Sequence, residues 1–207
     1  MIDLTNNDYH FITHWRVEST VDEVSKILGD PIALMRWWPS VYLDVKVVEP
    51  GEESGLGRVV SLYTKGWLPY TLRWDFRVTE VRKDGFTLAA WGDLDGRGIW
   101  TFKQDGPWVN IIYDWKIKAE KRLLRSFSFI MKPIFSANHH WAMAKGEESL
   151  KLELARLHAA SGDELVCLPG PPQPTFRSPM LLLLEATTVF AIVGILFYFV
   201  VRLFSRD

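Results

Sequence analysis

Hydrophobic and polar residues alternate along much of the first 120 residues, which is the period of a half-buried β-strand. Ser19 or Thr20 is placed to cap a short helix after the first such run, and Asp30-Pro31 opens a second helix that reaches about Trp38. Glycine, proline and aspartate separate the later runs, which predicts a six-strand antiparallel meander. The predicted strands span residues 10–18, 41–49, 57–65, 70–81, 86–93, 98–103 and 108–117.

The pattern becomes helical from about Lys121. Pro133 is predicted to end one helix, and a second helix over residues 134–160 makes about seven turns. Glycine in the middle of this helix costs about 1 kcal/mol relative to alanine. Gly146 therefore predicts either a close approach of the helix to the sheet or space for a ligand. The buried stripe is predicted at Met143, Gly146, Leu150, Leu154 and Leu157.

The C-terminal part has a different composition. Residues 161–178 are rich in proline and lack a sustained period, which is typical of a semi-extended linker. Residues 179–204 are predicted as a transmembrane helix, because only Glu185 and Arg202 are charged there and about 20 apolar residues suffice to cross a bilayer core. The first residues lack the basic and apolar regions of a secretory signal, so the domain at 1–160 is expected in the cytoplasm behind a single-pass C-terminal anchor. The arginines after the span weakly favour the opposite topology.

Charge and cysteine content narrow the possible functions. The chain has 24 basic and 25 acidic side chains, so it has no basic field to attract nucleic acid. Cys167 is the only cysteine, which excludes an intramolecular disulfide and a multi-cysteine metal site. Residues 93–98, "DLDGRG", begin like a calcium loop, but Arg97 and Gln104 stand where the fifth and twelfth positions need oxygen ligands, so a hairpin turn is predicted. Neither a metal nor a nucleotide cofactor is predicted.

Two stretches, "WLPYTLRWDFRV" at 67–78 and "NHHWAMAKGEESLKLEL" at 138–154, together with the order of elements, resemble a known superfamily. The resemblance is to the START and polyketide cyclase/dehydrase (SRPBCC) superfamily that includes Bet v 1, within its bacterial polyketide cyclase and lipid-transport branch, and it covers about residues 8–158. It implies an α+β helix-grip fold, in which a curved antiparallel sheet wraps around a long C-terminal helix and leaves a hydrophobic cavity between them. Activities in this superfamily are diverse, so the fold alone does not assign one.

Aromatic side chains, including some of the 10 tryptophans, are predicted to line such a cavity. The alternative is that these side chains fill the core completely. The candidate ligand-binding residues are Trp37, Trp38, Tyr70, Trp74, Phe76, Trp100, Tyr113, Trp115, His139, Met143 and Gly146.

His139 and His140 are the candidate catalytic residues. Adjacent positions on a helix diverge by about 100°, and no histidine or acidic residue lies three or four positions from either, so a metal site is not predicted. Both precede Met143 by about one turn, so either is placed to border the cavity. One interpretation is a hydrogen bond to a ligand or a general base with a pKa near neutrality. The other interpretation is a histidine near the start of the helix whose ring nitrogens form hydrogen bonds only with the backbone or with water.

Three functions remain open. The leading hypothesis is a membrane-tethered protein that binds or transfers a lipid or another hydrophobic small molecule in an internal cavity. The first alternative is a cyclase- or aromatase-like enzyme that uses His139 or His140 as a base. The second is a scaffold whose surface binds a protein partner.

Overall fold

The computed structural model describes residues 8–119 and 128–175. Its sheet has seven antiparallel strands in the order β1-β7-β6-β5-β4-β3-β2. The predicted six-strand meander is confirmed as β2 to β7. Strand β1 pairs with β7, the last strand of the meander. The strands are β1 (Asp8–Glu18), β2 (Tyr42–Glu49), β3 (Val59–Lys65), β4 (Thr71–Arg82), β5 (Gly85–Gly92), β6 (Leu94–Asp105) and β7 (Trp108–Ala119).

The described residues also form four helices: α1 (Val21–Leu28), α2 (Leu34–Trp37), α3 (Ser128–His158) and α4 (Gly162–Cys167). Thr20 caps α1 in a capping box, because its hydroxyl accepts a hydrogen bond from the backbone N–H of Glu23 and the Glu23 carboxylate accepts one from the backbone N–H of Thr20. The carboxylate of Asp30 accepts hydrogen bonds from two backbone N–H groups of the turn before α2. This turn makes α2 shorter than predicted.

Helix α3 covers the buried face of the sheet and contacts β1 and α2. The predicted break at Pro133 is wrong, because Pro133 lies inside α3. It stands in the second turn, where a missing N–H removes a single intrahelical hydrogen bond. The predicted burial of Leu157 is also wrong, since this side chain is 56% exposed. Leu154 is the last buried residue of α3, so the core ends about one turn before the helix does.

Strand alternation places side chains as predicted on β4 and β7. Phe76 and Val78 are buried on β4, whereas Arg73 and Arg77 are exposed on its other face. On β7, alternation within the predicted strand 108–117 puts five residues on one face, and all of them are buried: Val109, Ile111, Tyr113, Trp115 and Ile117. The hydrophobic core therefore lies between one face of the sheet and the helices.

The hairpin between β5 and β6 is tighter than predicted. Its turn is at Asp93, and β6 already begins at Leu94, so most of "DLDGRG" is strand. A Cβ added at Gly96 would lie 2.1 Å from the backbone oxygen of Lys116 on β7. Glycine therefore permits a close approach of the two strands here, where the sequence pattern indicated a turn.

The described chain continues past α3 to residue 175. Ser161 caps α4, which lies within the predicted linker, so the first part of that segment is helical. Contacts group Met1–Pro174 as one unit and Thr175–Asp207 as another. None of the helices among the described residues is long and apolar enough to cross a membrane. The transmembrane helix predicted at 179–204 lies outside the described residues and stays a prediction.

Candidate ligand-binding site

A cavity of about 370 Å³, here called the main chamber, lies between the sheet and the helices. This volume falls within the range of roughly 300–1,000 Å³ that is usual for small-molecule sites. Strands β4 to β7 supply about half of the lining residues, and α3 contributes Met143. The apolar and aromatic lining consists of Leu28, Pro31, Leu34, Trp38, Tyr42, Trp74, Phe76, Val78, Val81, Phe86, Leu88, Trp100, Phe102, Tyr113 and Met143.

A smaller cavity of about 100 Å³, here called the inner chamber, adjoins the main one. The two chambers share five lining residues, which form the boundary between them: Trp38, Tyr42, Trp74, Tyr113 and Met143. Beyond this boundary, Trp115, Asn138 and His139 also line the inner chamber. A single layer of side chains therefore separates a ligand in the main chamber from the inner chamber.

On the sheet side, a row of neighbouring aromatic rings runs from the main chamber through this boundary to the inner chamber. Trp100 and Tyr113 are register partners on β6 and β7, and their rings stack at a centroid distance of 4.0 Å and an angle of 15°. Trp115 continues the row at 5.5 Å from Tyr113, and Trp74 lies 5.7 Å from Trp115. The indole N–H of Trp74 donates to the hydroxyl of Thr64 at 3.1 Å. Each ring is thus held by a neighbour, so the wall is both flat and fixed.

Eight of the predicted ligand-binding residues line a chamber. Trp38, Trp74, Phe76, Trp100, Tyr113 and Met143 line the main chamber, and Trp115 and His139 line the inner one. The other three, Trp37, Tyr70 and Gly146, are not among the residues that line either chamber.

Each of these three has another structural setting. Trp37 is fully buried in the core, with its ring 5.4 Å from that of Trp38. A Cβ added at Gly146 would lie 2.2 Å from Cζ2 of Trp38, so this glycine admits the indole ring and not a ligand or the sheet. Tyr70 is the last residue of the β3–β4 loop, and burial raises the pKa of its hydroxyl.

The two histidines diverge as predicted. The ring of His139 stacks on Phe11 at a centroid distance of 4.0 Å, and its buried Nε2 has no hydrogen-bond partner in the described part of the chain. Burial, with a smaller contribution from His140, lowers the pKa of His139 to about 3. His140 is exposed, and its Nδ1 lies 2.7 Å from the backbone oxygen of Ser136. His139 is thus an uncharged imidazole at neutral pH and a weak base, better suited to hydrogen bonding than to proton abstraction.

Tyr42 is a lining residue that strand alternation did not identify. A regular strand would put it on the same face as Asp44 and Lys46, which are both exposed. The pairing of β2 with β3 shifts between Tyr42 and Asp44, and this bulge turns Tyr42 inward. Burial raises the pKa of Tyr42 and of Tyr113, so both phenols stay protonated and available as donors.

The mouth of the main chamber lies where exposed residues of α1, the α1–α2 turn and the β2–β3 loop border it, among them Lys26, Gly29 and Ser54. The charged residues of the described lining are Lys26, Arg58 and Arg82, and none of them is a carboxylate. Arg82 is paired with Glu80 and Asp84, at 2.6 Å and 3.7 Å. None of these cations belonged to the predicted site. The signal available for Arg58 was a basic residue at the second position of a predicted strand.

Residues 8–119 and 128–175 contain no group of three histidine, cysteine or acidic side chains placed to hold a metal ion. The chemistry that the described lining offers is therefore apolar burial, together with hydrogen bonds from tyrosine, histidine and arginine.

Comparison with known proteins identifies the fold. No protein-family model matches the sequence, and no curated protein matches it significantly. Among solved structures, the ZhuI aromatase/cyclase from Streptomyces sp. R1128 is similar with a TM-score of 0.60 and 15% identity over 75% of this chain and 98% of that chain. A protein from Thermus thermophilus gives a TM-score of 0.57 and 13% identity over 74% and 100% of the two chains.

A START superfamily protein from Mycobacterium smegmatis gives a TM-score of 0.52 and 12% identity, with coverage of 72% of this chain and 98% of that chain. Identity this low is informative about the fold and not about the activity. The seven-stranded antiparallel sheet, the long helix α3 and the cavity between them are the features that the resemblance in the sequence implied. The chain has an α+β helix-grip fold, similar to that of the aromatase/cyclase and the START superfamily protein among these structures.

Proposed function

We propose that this chain binds a lipid or another hydrophobic small molecule in the main chamber. The observation that carries the proposal is the apolar, aromatic-walled volume of about 370 Å³ inside the core. Protein cores normally pack with few voids larger than a water molecule, so a retained volume of this size favours an occupant. A ligand that buries roughly 300 Å² of apolar surface gains about 7 kcal/mol before the cost of association, which corresponds to modest affinity unless polar contacts add to it.

Fluorescence titration with the neutral hydrophobe N-phenyl-1-naphthylamine tests this proposal on the full-length chain. We expect saturable binding at one site per chain. Leu88→Trp places a larger side chain at the buried wall of the chamber and should abolish binding while circular dichroism stays unchanged. The matched control, Ile12→Trp, enlarges a side chain that is 55% exposed and should bind like wild type. Equal binding by both variants would place the probe outside the chamber.

The physiological ligand is accessible by extraction. Solvent extraction of the purified full-length chain, followed by mass spectrometry, should yield a hydrophobic molecule at close to one per chain. The Leu88→Trp variant, purified in parallel, should carry much less of it. A chain that is free of such molecules and also takes none from added vesicles would contradict a carrier function.

We further propose that residues 179–204 anchor the domain to a membrane, with the domain on the cytoplasmic side. The support is the apolar composition of this segment, which has only Glu185 and Arg202 as charges. A short tether raises the local concentration of the domain at the bilayer, so a ligand can be exchanged there without free diffusion. Full-length protein should resist alkaline extraction from membranes, and a chain truncated after residue 178 should be released.

A second candidate function is a cyclase- or aromatase-like enzyme. It is supported by the likeness to an aromatase/cyclase fold and by the Nε2 of His139 at the inner chamber, which has no hydrogen-bond partner among the described residues. With a pKa of about 3, His139 would act by polarising a carbonyl or hydroxyl through a hydrogen bond and not as a base. Mass spectrometry of a linear polyketide mimic after incubation tests this. An enzyme should lose turnover in His139→Phe and keep it in His140→Ala, whereas a carrier should leave the mimic unchanged.

A further inference from the structure

We propose that the molecule bound in the main chamber carries a carboxylate or a comparable oxyanion, and that Arg58 receives this group at the mouth. The inference rests on the proposed binding function and adds the chemical class of the ligand. Arg58 directly precedes β3 and lines the chamber on the side where exposed residues border it. The apolar body of the ligand then lies among the aromatic rings, and its charged end reaches the surface.

The guanidinium of Arg58 is held in place by neutral groups. Its Nε donates to the backbone oxygen of Pro50 at 3.1 Å, and its Nη1 donates to the backbone oxygen of Gly29 at 3.0 Å. Gly55 lies against the group, since a Cβ added there would be 3.6 Å from Cζ, Nη1 and Nη2. Two of the five N–H donors are thus used for positioning, and the others remain for a ligand.

Arg58 differs from several other arginines of the domain in having no ion-pair partner among the described residues. Arg16, Arg36, Arg77 and Arg82 each form an ion pair with an aspartate or glutamate. Among the described residues, none of the ion pairs involves Arg58. The acidic side chain of the neighbouring turn, Asp30, is engaged with backbone N–H groups of Ile32 and Ala33. A positioned cation therefore borders the apolar chamber without an ion-pair partner in the described chain. Asp30 and Glu53 line the surface pocket on which Arg58 also lies, but neither of them lines the chamber.

The lining of the chamber has the matching polarity. Lys26 stands at the same mouth as a second cation, and the described lining contains no carboxylate. The hydroxyl of Ser25 is buried there without a hydrogen-bond partner in the described part of the chain. An anion next to apolar surface requires a paired cation, and arginine binds carboxylates and phosphates in a preorganised two-point geometry. These groups suit an amphiphile with an oxyanion at one end, such as a fatty or aromatic acid or a lipid phosphate.

Two fluorescent probes separate charge recognition from apolar binding. 1-Anilinonaphthalene-8-sulfonate carries a sulfonate oxyanion, and N-phenyl-1-naphthylamine has the same ring system without it. For the full-length chain, we expect Arg58→Gln to weaken sulfonate binding about tenfold and to change binding of the neutral probe less than twofold. Arg58→Lys should lie between wild type and Arg58→Gln. The control Arg73→Gln removes the same charge from the exposed face of β4 and should leave both probes unaffected.

The outcomes distinguish the failure of each proposal. If wild type does not bind the neutral probe, the binding function itself is refuted. If wild type binds it but Arg58→Gln leaves the sulfonate probe unaffected, the charge proposal is overturned. Equal weakening of both probes by Arg58→Gln would mean that Arg58 only holds the loops of the mouth, which also overturns it.

Competition against the sulfonate probe identifies the source of the oxyanion. Decanoate presents a carboxylate, lysophosphatidic acid presents a phosphate, and decanol is the neutral control. Stronger displacement by either acid than by decanol supports the proposal, and the more effective acid indicates the headgroup. Displacement by decanol that equals that of both acids would contradict it.

Discussion

Replacing Gly146 by alanine should destabilise the protein, although alanine is the better helix former. In the interior of a helix, alanine is favoured over glycine by about 1 kcal/mol. At Gly146, however, the added Cβ would lie 2.2 Å from Cζ2 of Trp38 and 2.6 Å from Cε2 and Cη2. Carbon atoms in normal contact are roughly 3.5–4.0 Å apart, so the indole ring or α3 must move by more than an ångström.

The indole ring has little freedom to move. It packs against Trp15, Trp37 and Tyr42 at centroid distances of 5.5, 5.4 and 5.2 Å. Overpacking a core costs about 1–3 kcal/mol of unfolding free energy. We expect a cost in the upper half of that range here, because three atoms of a rigid ring clash with the added Cβ. After the helix-propensity gain is subtracted, Gly146→Ala should lose about 1–2 kcal/mol of unfolding free energy. For a chain of this size, that lowers the melting temperature by about 2–8 °C.

Thermal unfolding followed by circular dichroism measures this change. Gly162→Ala is the matched control, because Gly162 begins α4 and an added Cβ meets nothing within 4 Å. It should melt at or slightly above the wild-type temperature. Removing the ring in Trp38→Leu should abolish most of the penalty of Gly146→Ala, which a double-mutant cycle reports as a coupling energy. A Gly146→Ala protein as stable as wild type would refute this account of the contact.

Three further predictions concern other contacts. Arg36→Met leaves the buried carboxylate of Glu153 without its bidentate partner at 2.5 and 2.7 Å and should cost about 1–3 kcal/mol in urea denaturation. Asn138→Ala removes the acceptor of the Leu68 N–H, at 3.2 Å, and should speed hydrogen exchange there. Because burial lowers the pKa of His139 from 6.5 to about 3, the unfolded chain binds the extra proton between these values, and wild-type stability should fall as pH drops from 6.5. His139→Gln should flatten that slope in urea titrations at pH 7 and 4.5.

The sheet could be predicted from the sequence because alternating polarity is strong where one face meets water. Local patterns were misleading where tertiary contacts decide. Gly96 and its neighbours suggest a turn, yet they form a strand whose partner passes too close for a side chain. Pro133 suggests a helix end, yet it is accommodated early in α3. Leu157 continues a hydrophobic stripe beyond the point where the core ends.

The candidate site was predictable only where a regular strand carries it. Alternation placed Phe76 and Tyr113 inward, and both line the main chamber. The pattern could not separate Trp37 from Trp38, because both are buried near the end of a helix of one turn. Only tertiary packing makes Trp37 a core residue and Trp38 a lining residue of the chamber. Arg58 gains its position from carbonyl groups 8 and 29 residues away, which no local pattern records.

The chamber persists because contacts with the surrounding core hold its lining side chains in place. Trp38 rests on the backbone at Gly146, and Thr64 holds the indole of Trp74. At about 24 cal/mol per Å³, a dry void of about 370 Å³ would forfeit roughly 9 kcal/mol, which is as large as the whole stability of a typical domain. A chamber that cannot collapse and has cations at its mouth is therefore occupied by water or by a ligand. A ligand that releases poorly hydrogen-bonded water from this wall stabilises the native state in proportion to the logarithm of its concentration. The same contacts that keep the wall from collapsing thus couple the stability of the fold to its occupant.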